Sequence, residues 1–278
     1  MFKDLLICLE GSRSGRRALE LGIELARQHG GSLAGLAIID EPDIVAGSAT
    51  SIGGSSYKRE RDQALLGDAE RQVSGWLAEF SELCRVAGVA GRPVAERGRP
   101  AATILDEMQR HELTLMGRDA NFRFETAASD AQTRDAILHR ARKPVLVVPE
   151  DPPAESARVM LAFDGSSASR RALTAFAESG LAEGAEILVV TVDDDGATAW
   201  EMACRGVKML EQEGYKARPE NVVSALPIAD ALIATRQRLG ARLMVMGAYT
   251  RSRISELVWG SVTREIIEKS AVPLFLHH

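Results

Sequence analysis

Cysteine, aromatic residues and long apolar runs are all scarce in this chain of 278 residues. The three cysteines, Cys8, Cys84 and Cys204, lie far apart and form no Cys-x-x-Cys pair, so neither a disulfide framework nor a zinc site is predicted. No apolar run exceeds the length of a strand, and residues 1–10 lack the pattern of a signal peptide. These absences favour a cytoplasmic protein with reduced thiols and no membrane partner.

An excess of charge of one sign is also missing. With a formal net charge of −5, the chain has no general attraction to nucleic acid, and we do not expect nucleic acid as its main partner. Hydrophobic residues make up 45% and charged residues 26%, which is the balance of a globular protein able to bury a core.

An internal repeat organises the sequence. The run Leu5–Ser12 recurs as Val159–Ser166, and each copy is followed by an Arg-Arg-Ala-Leu segment at the same offset. Further matches extend to the closing apolar runs of both halves. We predict a first domain at residues 1–149, a polar, proline-bearing linker at 150–156 and a second domain at 157–278.

Short aliphatic runs alternate with helical patterns in both halves, as in βαβ units. We therefore predict an α/β fold with two tandem doubly wound domains, each a five-stranded parallel sheet with helices on both faces. The closing runs, Val145–Val148 and Leu274–Leu276, are apolar candidates for sheet edges that need cover. The stretch Glu41–Ser56 is predicted to be a loop, and His111 a solvated or capping side chain.

Ligands of open parallel sheets bind beyond the carboxyl ends of the strands, where the strand order reverses. In the second half, the loop after the fourth strand begins at Gly247 and leads to the pair Gly260-Ser261. A strand-ending glycine lets backbone approach a ligand, and a Gly-Ser pair opening a helix offers N–H groups and a hydroxyl to a phosphate. Arg251 and Arg253 between them can add charge-assisted contacts.

Each of these features also has a purely structural interpretation. Gly247 can be a strand-end turn, Ser261 a helix N-cap, and Asp164 an Asx-turn residue before a helix. Arg251 and Arg253 can be solvated surface side chains. Their combination at one edge of a parallel sheet shifts the interpretation toward a phosphate site.

At these residues the chain resembles the universal stress protein family. Gly247-x2-Thr250-x9-Gly260-Ser261 is similar to the G-x2-G-x9-G-(S/T) motif of its ATP-binding members, and Ala162–Ser166 resembles their first strand. The resemblance covers nearly the whole chain twice. Thr250 departs from the motif, because the family has a second glycine there and a β-branched residue disfavours a positive φ. Its hydroxyl can instead contact a phosphate.

The resemblance implies an adenine nucleotide site in the second half. The implied nucleotide-binding residues are Asp164, Val192, Gly247, Thr250, Arg251, Arg253, Gly260, Ser261 and Val262. Asp164 and Val192 would lie on the adenine side, and Gly247 and Gly260 close to the ribose and phosphates. The amides of Ser261 and Val262 would contact phosphate oxygens. The ligand would be ATP or another adenine nucleotide, with or without Mg²⁺, and no metal site of the protein's own is expected.

The first half departs further from the motif. Glu10 stands in place of the aspartate, and no Gly-Ser pair precedes the helix predicted near Thr133–His139. Acidic Asp119, Glu125 and Asp130 would oppose a phosphate group. We predict a degenerate copy that keeps the fold.

Three functions are compared on this basis. The leading one is a stress-response regulatory protein that binds an adenine nucleotide in its C-terminal domain. The alternative is an interaction protein without nucleotide, acting through intramolecular domain pairing, a homodimer or another partner. An enzyme is least supported, because the chain has no P-loop, no S-G-G-x-D-S loop, no HxGH signature and no GxSxG elbow. Any slow hydrolysis of ATP would be incidental.

Overall fold

The chain forms two compact units. The computed structural model describes residues 1–46, 55–120, 122, 131–151, 156–248 and 260–278. The N-terminal unit comprises Lys3–Arg140, and the C-terminal unit comprises Ala141–His278 together with Met1–Phe2.

Strands and helices alternate through both units. The strands are β1 (Asp4–Leu9), β2 (Ser32–Ile39), β3 (Ala90–Arg97), β4 (Leu113–Gly117), β5 (Val145–Val148), β6 (Arg158–Ala162), β7 (Glu186–Asp193), β8 (Ala217–Val223), β9 (Leu243–Gly247) and β10 (Leu274–His277). The helices are α1 (Arg13–His29), α2 (Glu41–Ala46), α3 (Ser55–Ala87), α4 (Pro100–Glu107), α5 (Ala131–Arg140), α6 (Ser167–Ser179), α7 (Gly196–Gln212), α8 (Ile228–Leu239) and α9 (Ser261–Lys269). A single 3₁₀ turn, Met108–Arg110, follows α4.

In each unit the strand order reverses beside the first strand of that unit. In the N-terminal unit the order is β3-β2-β1-β4, and all three pairings are parallel. In the C-terminal unit the order is β5-β10-β9-β6-β7-β8, with β5 antiparallel to β10 and the other pairings parallel. The reversals lie between β1 and β4 and between β6 and β9. The predicted α/β fold is confirmed, and the loops expected to flank a ligand do follow the reversing strands.

The strands nearest the reversals are buried on both faces, which explains their unbroken apolar sequences. In β1 the five residues after Asp4 are all buried. Phe80 of α3 is fully buried against β2, where a Cβ at Gly35 would come within 2.7 Å of its ring. Phe176 and Phe275 form an edge-to-face pair with ring centroids 6.1 Å apart in the core of the C-terminal unit.

The two apolar runs predicted as sheet edges, Val145–Val148 and Leu274–Leu276, pair with each other. Leu274, Phe275 and Leu276 of β10 pair with Val147, Leu146 and Val145 of β5, respectively. This pairing satisfies backbone groups that would otherwise form an exposed edge. The second edge of β10 is occupied by β9.

The prediction of a loop at Glu41–Ser56 is wrong at both ends of that stretch. Glu41–Ala46 forms α2, and α3 begins at Ser55, while residues 47–54 lie outside the described part of the chain. The side chain of Asp40 accepts a hydrogen bond from Asp43 N at 3.2 Å, and Ile44 is fully buried. An N-terminal carboxylate and one buried anchor therefore stabilise α2, which the sequence pattern had predicted as part of a loop.

The prediction that His111 is solvated or capping is also wrong. The ring is buried, with Nδ1 2.8 Å from Asp4 Oδ1 and Nε2 3.4 Å from Glu107 Oε1. Glu107 also accepts hydrogen bonds from Arg92, at 2.9 Å, and from Arg110. We call these five side chains the His111 cluster. Its carboxylates satisfy both ring nitrogens, which makes the burial of the ring tolerable.

Candidate functional site

The candidate site begins at the carboxyl end of β6. Asp164 is exposed there, and its Oδ1 accepts a hydrogen bond from Ser166 N at 3.0 Å, which closes an Asx turn. Gly165 within the turn has φ +73°, a conformation that favours glycine. Ser166 then caps α6, because its hydroxyl accepts from Ser169 N at 3.1 Å. The Asp-Gly-Ser segment at residues 164–166 therefore makes a turn and starts a helix, and it leaves the Asp164 side chain at the sheet edge.

Gly247 ends β9 beside this turn. A Cβ at this position would lie 2.5 Å from Ser169 N and 2.7 Å from Ala168 C. Close packing of β9 against the first turn of α6 therefore requires glycine, whether or not a ligand is present. Gly117 has the same relation to Gly15 and Ser14 in the N-terminal unit. The ligand contact predicted for Gly247 stays a prediction.

The N-terminus of α9 begins at a glycine. Gly260 is its N-cap with φ +85°, no side chain among the described residues caps the helix, and the first turn contains no acidic residue. Ser261 is exposed and Val262 half-buried. Because α9 connects the parallel strands β9 and β10, it begins at the carboxyl edge of the sheet. Its first N–H groups lack partners within the helix and carry the positive end of the helix dipole.

The carboxyl end of β7 forms the other side of the edge. Val192 is half-buried in β7 and is paired with Val222 of β8. Asp195 caps α7, and the Thr198 hydroxyl and the amides of Ala197 and Thr198 lower the pKa of its carboxyl group. No role was predicted for Asp195, although aspartate is one of the residues preferred at helix N-caps.

Three of the predicted site residues, Thr250, Arg251 and Arg253, lie outside the described residues, as does the whole of 249–259. The structure thus brings Asp164, Gly247 and the start of α9 to the same edge of one sheet. The contribution of the intervening loop stays a prediction.

The corresponding edge of the N-terminal unit is closed by a carboxylate. Glu10 is buried, and its oxygens accept hydrogen bonds from Ser12 N at 3.1 Å and from Ser12 Oγ at 2.5 Å. The position of a Cβ on Gly15, in the first turn of α1, overlaps Glu10 Oε1. The side chain therefore lies directly over the helix start, where a bound anion would be expected.

Further side chains seal this edge. A Cβ on Gly11 would come within 2.7 Å of the Trp76 ring, and Ser14 Oγ accepts from Asp119 N at 3.1 Å. Glu125 and Asp130, which were expected to oppose a phosphate, lie outside the described residues. The two halves thus share a backbone plan but differ in what fills the strand ends.

Two further observations bear on other classes of function. In the described part of the chain, no helix is both long and apolar enough to span a lipid bilayer. Within the same ranges, no group of three or more His, Cys, Asp or Glu side chains is placed to hold a metal ion.

Fold and site define the class of this protein: a duplicated, doubly wound α/β protein with its candidate site at the strand-order reversal of the second copy. Comparison with known proteins is more specific. The family model described as "Universal stress protein family" matches residues 1–149 and again 156–278. The chain belongs to the universal stress protein family, in a tandem form with two family domains.

Individual relatives are distant but span the whole chain. The universal stress protein Slr1230 of Synechocystis sp. is 24% identical over 285 residues, which covers 98% of each chain. A universal stress protein structure from Archaeoglobus fulgidus DSM 4304 is 18% identical with a TM-score of 0.74, covering 99% of this chain and 95% of the other. A putative universal stress protein from Pseudomonas aeruginosa UCBPP-PA14 is 14% identical with a TM-score of 0.56, covering 99% and 93%.

Proposed function

We propose that the C-terminal unit binds an adenine nucleotide at the edge formed by β6, β9 and α9, and that the protein acts as a stress-response regulator through this binding. One observation carries the proposal: α9 begins at Gly260, no side chain in the described part of the chain caps it, and its first turn contains no acidic residue. Such an N-terminus favours a phosphate, because its free N–H groups and the helix dipole both attract negative charge.

A comparison of helix starts supports the choice of α9. Within the C-terminal unit, α6 is capped by Ser166 and α7 by Asp195, whereas α8 has Asp230 in its first turn. Each of these groups competes with an anion for the helix start or repels it. Among the described helices of this unit, α9 alone lacks both kinds of group.

The proposed site extends from α9 toward the adenine side. Asp164 and the backbone near Val192 would contact the base, while Thr250, Arg251 and Arg253 would contact the ribose and phosphates. ATP, ADP and AMP, each with or without Mg²⁺, are the ligands to compare. We further propose a binding rather than a catalytic role, and a cytoplasmic location that suits the free thiols.

In the N-terminal unit, we propose that Glu10 takes the place of a ligand phosphate. Its buried carboxylate already accepts hydrogen bonds from Ser12 at the start of α1. A second anion there would face like-charge repulsion in a partly desolvated setting. This half would then contribute structure rather than nucleotide binding.

The alternative function is an interaction protein that binds no nucleotide. Its specific support is a set of large apolar side chains that are exposed in the C-terminal unit, namely Trp200, Val223 and Leu226. Exposed aromatic and aliphatic side chains of this kind are typical of contact surfaces, including those of homodimers.

The deciding experiment is to identify any small molecule released from the denatured, purified protein, and then to titrate the ligand-free protein calorimetrically with ATP, ADP and AMP. We expect Gly260→Val and Ser261→Glu each to weaken binding by roughly tenfold or more, about 1.4 kcal/mol. Gly214→Val is the matched control. Gly214 has nearly the same backbone φ, +87°, with open space around it, and it lies after the C-terminal end of α7.

If Gly214→Val weakens binding as much as Gly260→Val, backbone strain rather than a lost phosphate contact is the cause. If the wild-type protein releases no nucleotide and gives no heat at millimolar nucleotide, the nucleotide proposal fails. The interaction protein then becomes the working hypothesis.

A further inference from the structure

A cavity of about 320 Å³ opens at the amino-terminal ends of β1, β2 and β3, within the N-terminal unit. It is lined by every member of the His111 cluster except Glu107, and by the first residues of β2 and β3. We call it the amino-edge cavity. It is separate from the candidate nucleotide site, which is formed by the carboxyl ends of strands in the C-terminal unit.

Small side chains on one face of β2 and β3 create this space. In the register of the two strands, Ser32 is opposite Ala90, and Ala34 is opposite Arg92. Residues two apart along a strand point to the same face of a sheet. The other face of the same strands packs against α3, as at Gly35. Serine and alanine therefore leave room for a ligand beside the arginine.

The two arginines that line the cavity keep most of their hydrogen-bond donors. Arg92 and Arg110 each donate to Glu107 through one Nη atom, and neither side chain forms another hydrogen bond among the described residues. A guanidinium group carries five N–H donors in a planar fork that matches a carboxylate. Both arginine side chains can therefore bind a carboxylate in the cavity without releasing Glu107.

Asp4 supplies an acceptor on another wall. Its Oδ1 contacts His111 Nδ1 at 2.8 Å, whereas its Oδ2 has no hydrogen-bond partner in the part of the chain that the structure describes. Asp4 begins β1 and Arg92 lies in β3, with β2 between them, so their backbones are about 10 Å apart. The amino-edge cavity thus has donors for an anion on one side and an acceptor for a cation on the other.

The charges around the cavity define the class of ligand. Two arginines and two carboxylates, those of Asp4 and Glu107, cancel each other, and both nitrogens of the His111 ring contact these same carboxylates. A simple anion would leave the Asp4 oxygen without a partner, and a simple cation would leave the guanidinium donors without one. A ligand that carries both charges satisfies both walls and keeps the balance.

We propose that the amino-edge cavity binds a small zwitterion of the α-amino acid type, with its carboxylate on Arg92 and Arg110 and its ammonium group on Asp4. The size agrees with this class. Ligand pockets span about 300–1,000 Å³, so this cavity is among the small ones. Its volume is that of about ten water molecules in the liquid, which suits an amino acid better than a nucleotide. The proposal does not rest on the proposed function.

The second copy of the repeat has no such arrangement at the equivalent strand starts. Arg158 begins β6 as Asp4 begins β1, and it is paired in register with Glu186, where β2 has Ser32. Arg158 Nε donates to Glu186 Oε2 at 2.9 Å, and its Nη1 donates to the main-chain oxygen of Leu239 at 3.1 Å. Long side chains bonded to each other thus stand where the first copy has small ones. The proposed zwitterion site belongs to the first copy.

The test is a calorimetric titration of the full chain with each free proteinogenic amino acid at constant pH and ionic strength. We expect at least one of them to bind. The N-acetyl derivative and the amide of that amino acid should each bind at least about tenfold more weakly, because each has lost one of the two charges. NMR signals of the His111 ring, which lies in the cavity wall, should shift on binding.

Arg92→Gln and Arg110→Gln should each weaken binding by about tenfold, as for the loss of a charge-assisted hydrogen bond. Arg97→Gln is the matched control, because Arg97 is an exposed arginine of the same strand as Arg92 but pairs with Glu70 of α3. Ala34→Leu should abolish binding by filling the space, while the ligand-free protein keeps its thermal stability.

Three results would overturn the proposal. One is the absence of heat with every amino acid at millimolar concentration. Another is binding of acetate or of the N-acetyl derivative as tight as that of the amino acid, which would reduce the cavity to an anion site. The third is an equal loss of affinity in Arg97→Gln and Arg92→Gln. A protein that binds an amino acid but gives no heat with ATP, ADP or AMP would keep this proposal while the proposed function fails.

Discussion

Replacing Glu107 by glutamine tests how the His111 cluster holds the N-terminal unit together. Glu107→Gln keeps the side-chain shape but removes the charge that Arg92, Arg110 and His111 share. The side chain of Glu107 is 8% exposed, whereas those of Arg92 and Arg110 are 59% and 66% exposed. Water can therefore solvate both guanidinium groups after the substitution, but it cannot reach His111, which is 3% exposed.

The size of the effect follows from this difference in exposure. Removing one partner of a buried ion pair costs about 3–5 kcal/mol, and exposed pairs contribute about 0–1 kcal/mol. Only the contact with His111 is buried on both sides, and at 3.4 Å it is long. We therefore expect the free energy of unfolding of the N-terminal unit to fall by about 2 kcal/mol at neutral pH.

The pH dependence of this loss provides a second check. Burial alone would raise the pKa of Glu107, but the hydrogen bonds from Arg92, His111 and Arg110 and the charge of Arg110 lower it overall from its ordinary value of 4.5. The stabilisation is therefore fully present above the unfolded-state pKa and is lost as the pH falls through the folded-state pKa. The difference between wild type and Glu107→Gln should shrink in acid.

Urea denaturation followed by Trp76 fluorescence measures this difference in the N-terminal unit, provided that Trp200 and Trp259 are replaced by phenylalanine. Glu82→Gln is the control, because Glu82 pairs with Arg85 on α3 and both side chains are exposed. Equal stability of Glu107→Gln and wild type at neutral pH would refute the reasoning. A difference that persists undiminished well below the unfolded-state pKa would refute the electrostatic part of it.

Three other predictions concern packing, capping and thiol reactivity. Phe80→Ala should lower the free energy of unfolding by about 3–5 kcal/mol in urea denaturation, because removal of the fully buried ring leaves a cavity. A decrease in the free energy of unfolding no larger than that caused by substituting an exposed side chain would contradict the packing described. Ser166→Ala should cost about 1 kcal/mol by the same assay, through the lost cap of α6. Iodoacetamide should label Cys204 in the native protein well before Cys8 and Cys84. Burial raises the pKa of the Cys84 thiol to about 11 and that of the Cys8 thiol further. Mass spectrometry of digests taken at successive times measures the order in which the three cysteines are labelled.

The sequence predicted those features that depend on neighbouring residues. The recurring Gly-Ser at residues 11–12 and 165–166 produces a turn with positive φ and a helix cap in both copies, because turn and cap interactions act within about four residues. The alternation of strands and helices, and with it the fold class, follows from equally local periodicity.

Features that depend on distant residues were not predictable in the same way. His111 is buried because Asp4, 107 residues away, meets its Nδ1. Gly247 is explained by backbone packing against α6, which its strand-end position alone did not indicate. For the candidate site, the sequence predicted that the ends of β6 and β9 flank the strand-order reversal, which the topology confirms, but it gave no sign that Glu10 folds back over α1.

Because β5 pairs with β10, the boundary between the two sequence repeats and the boundary between the two compact units fall at different residues. Residues 141–149 precede the second copy in sequence but supply the strand that covers its apolar margin. A fragment cut at residue 157 would expose the backbone of Leu274–Leu276 as a template for aggregation, whereas one begun at Ala141 would keep it covered. By joining two copies in one polypeptide, the chain holds the covering strand at a high effective concentration, independent of how much protein the cell contains.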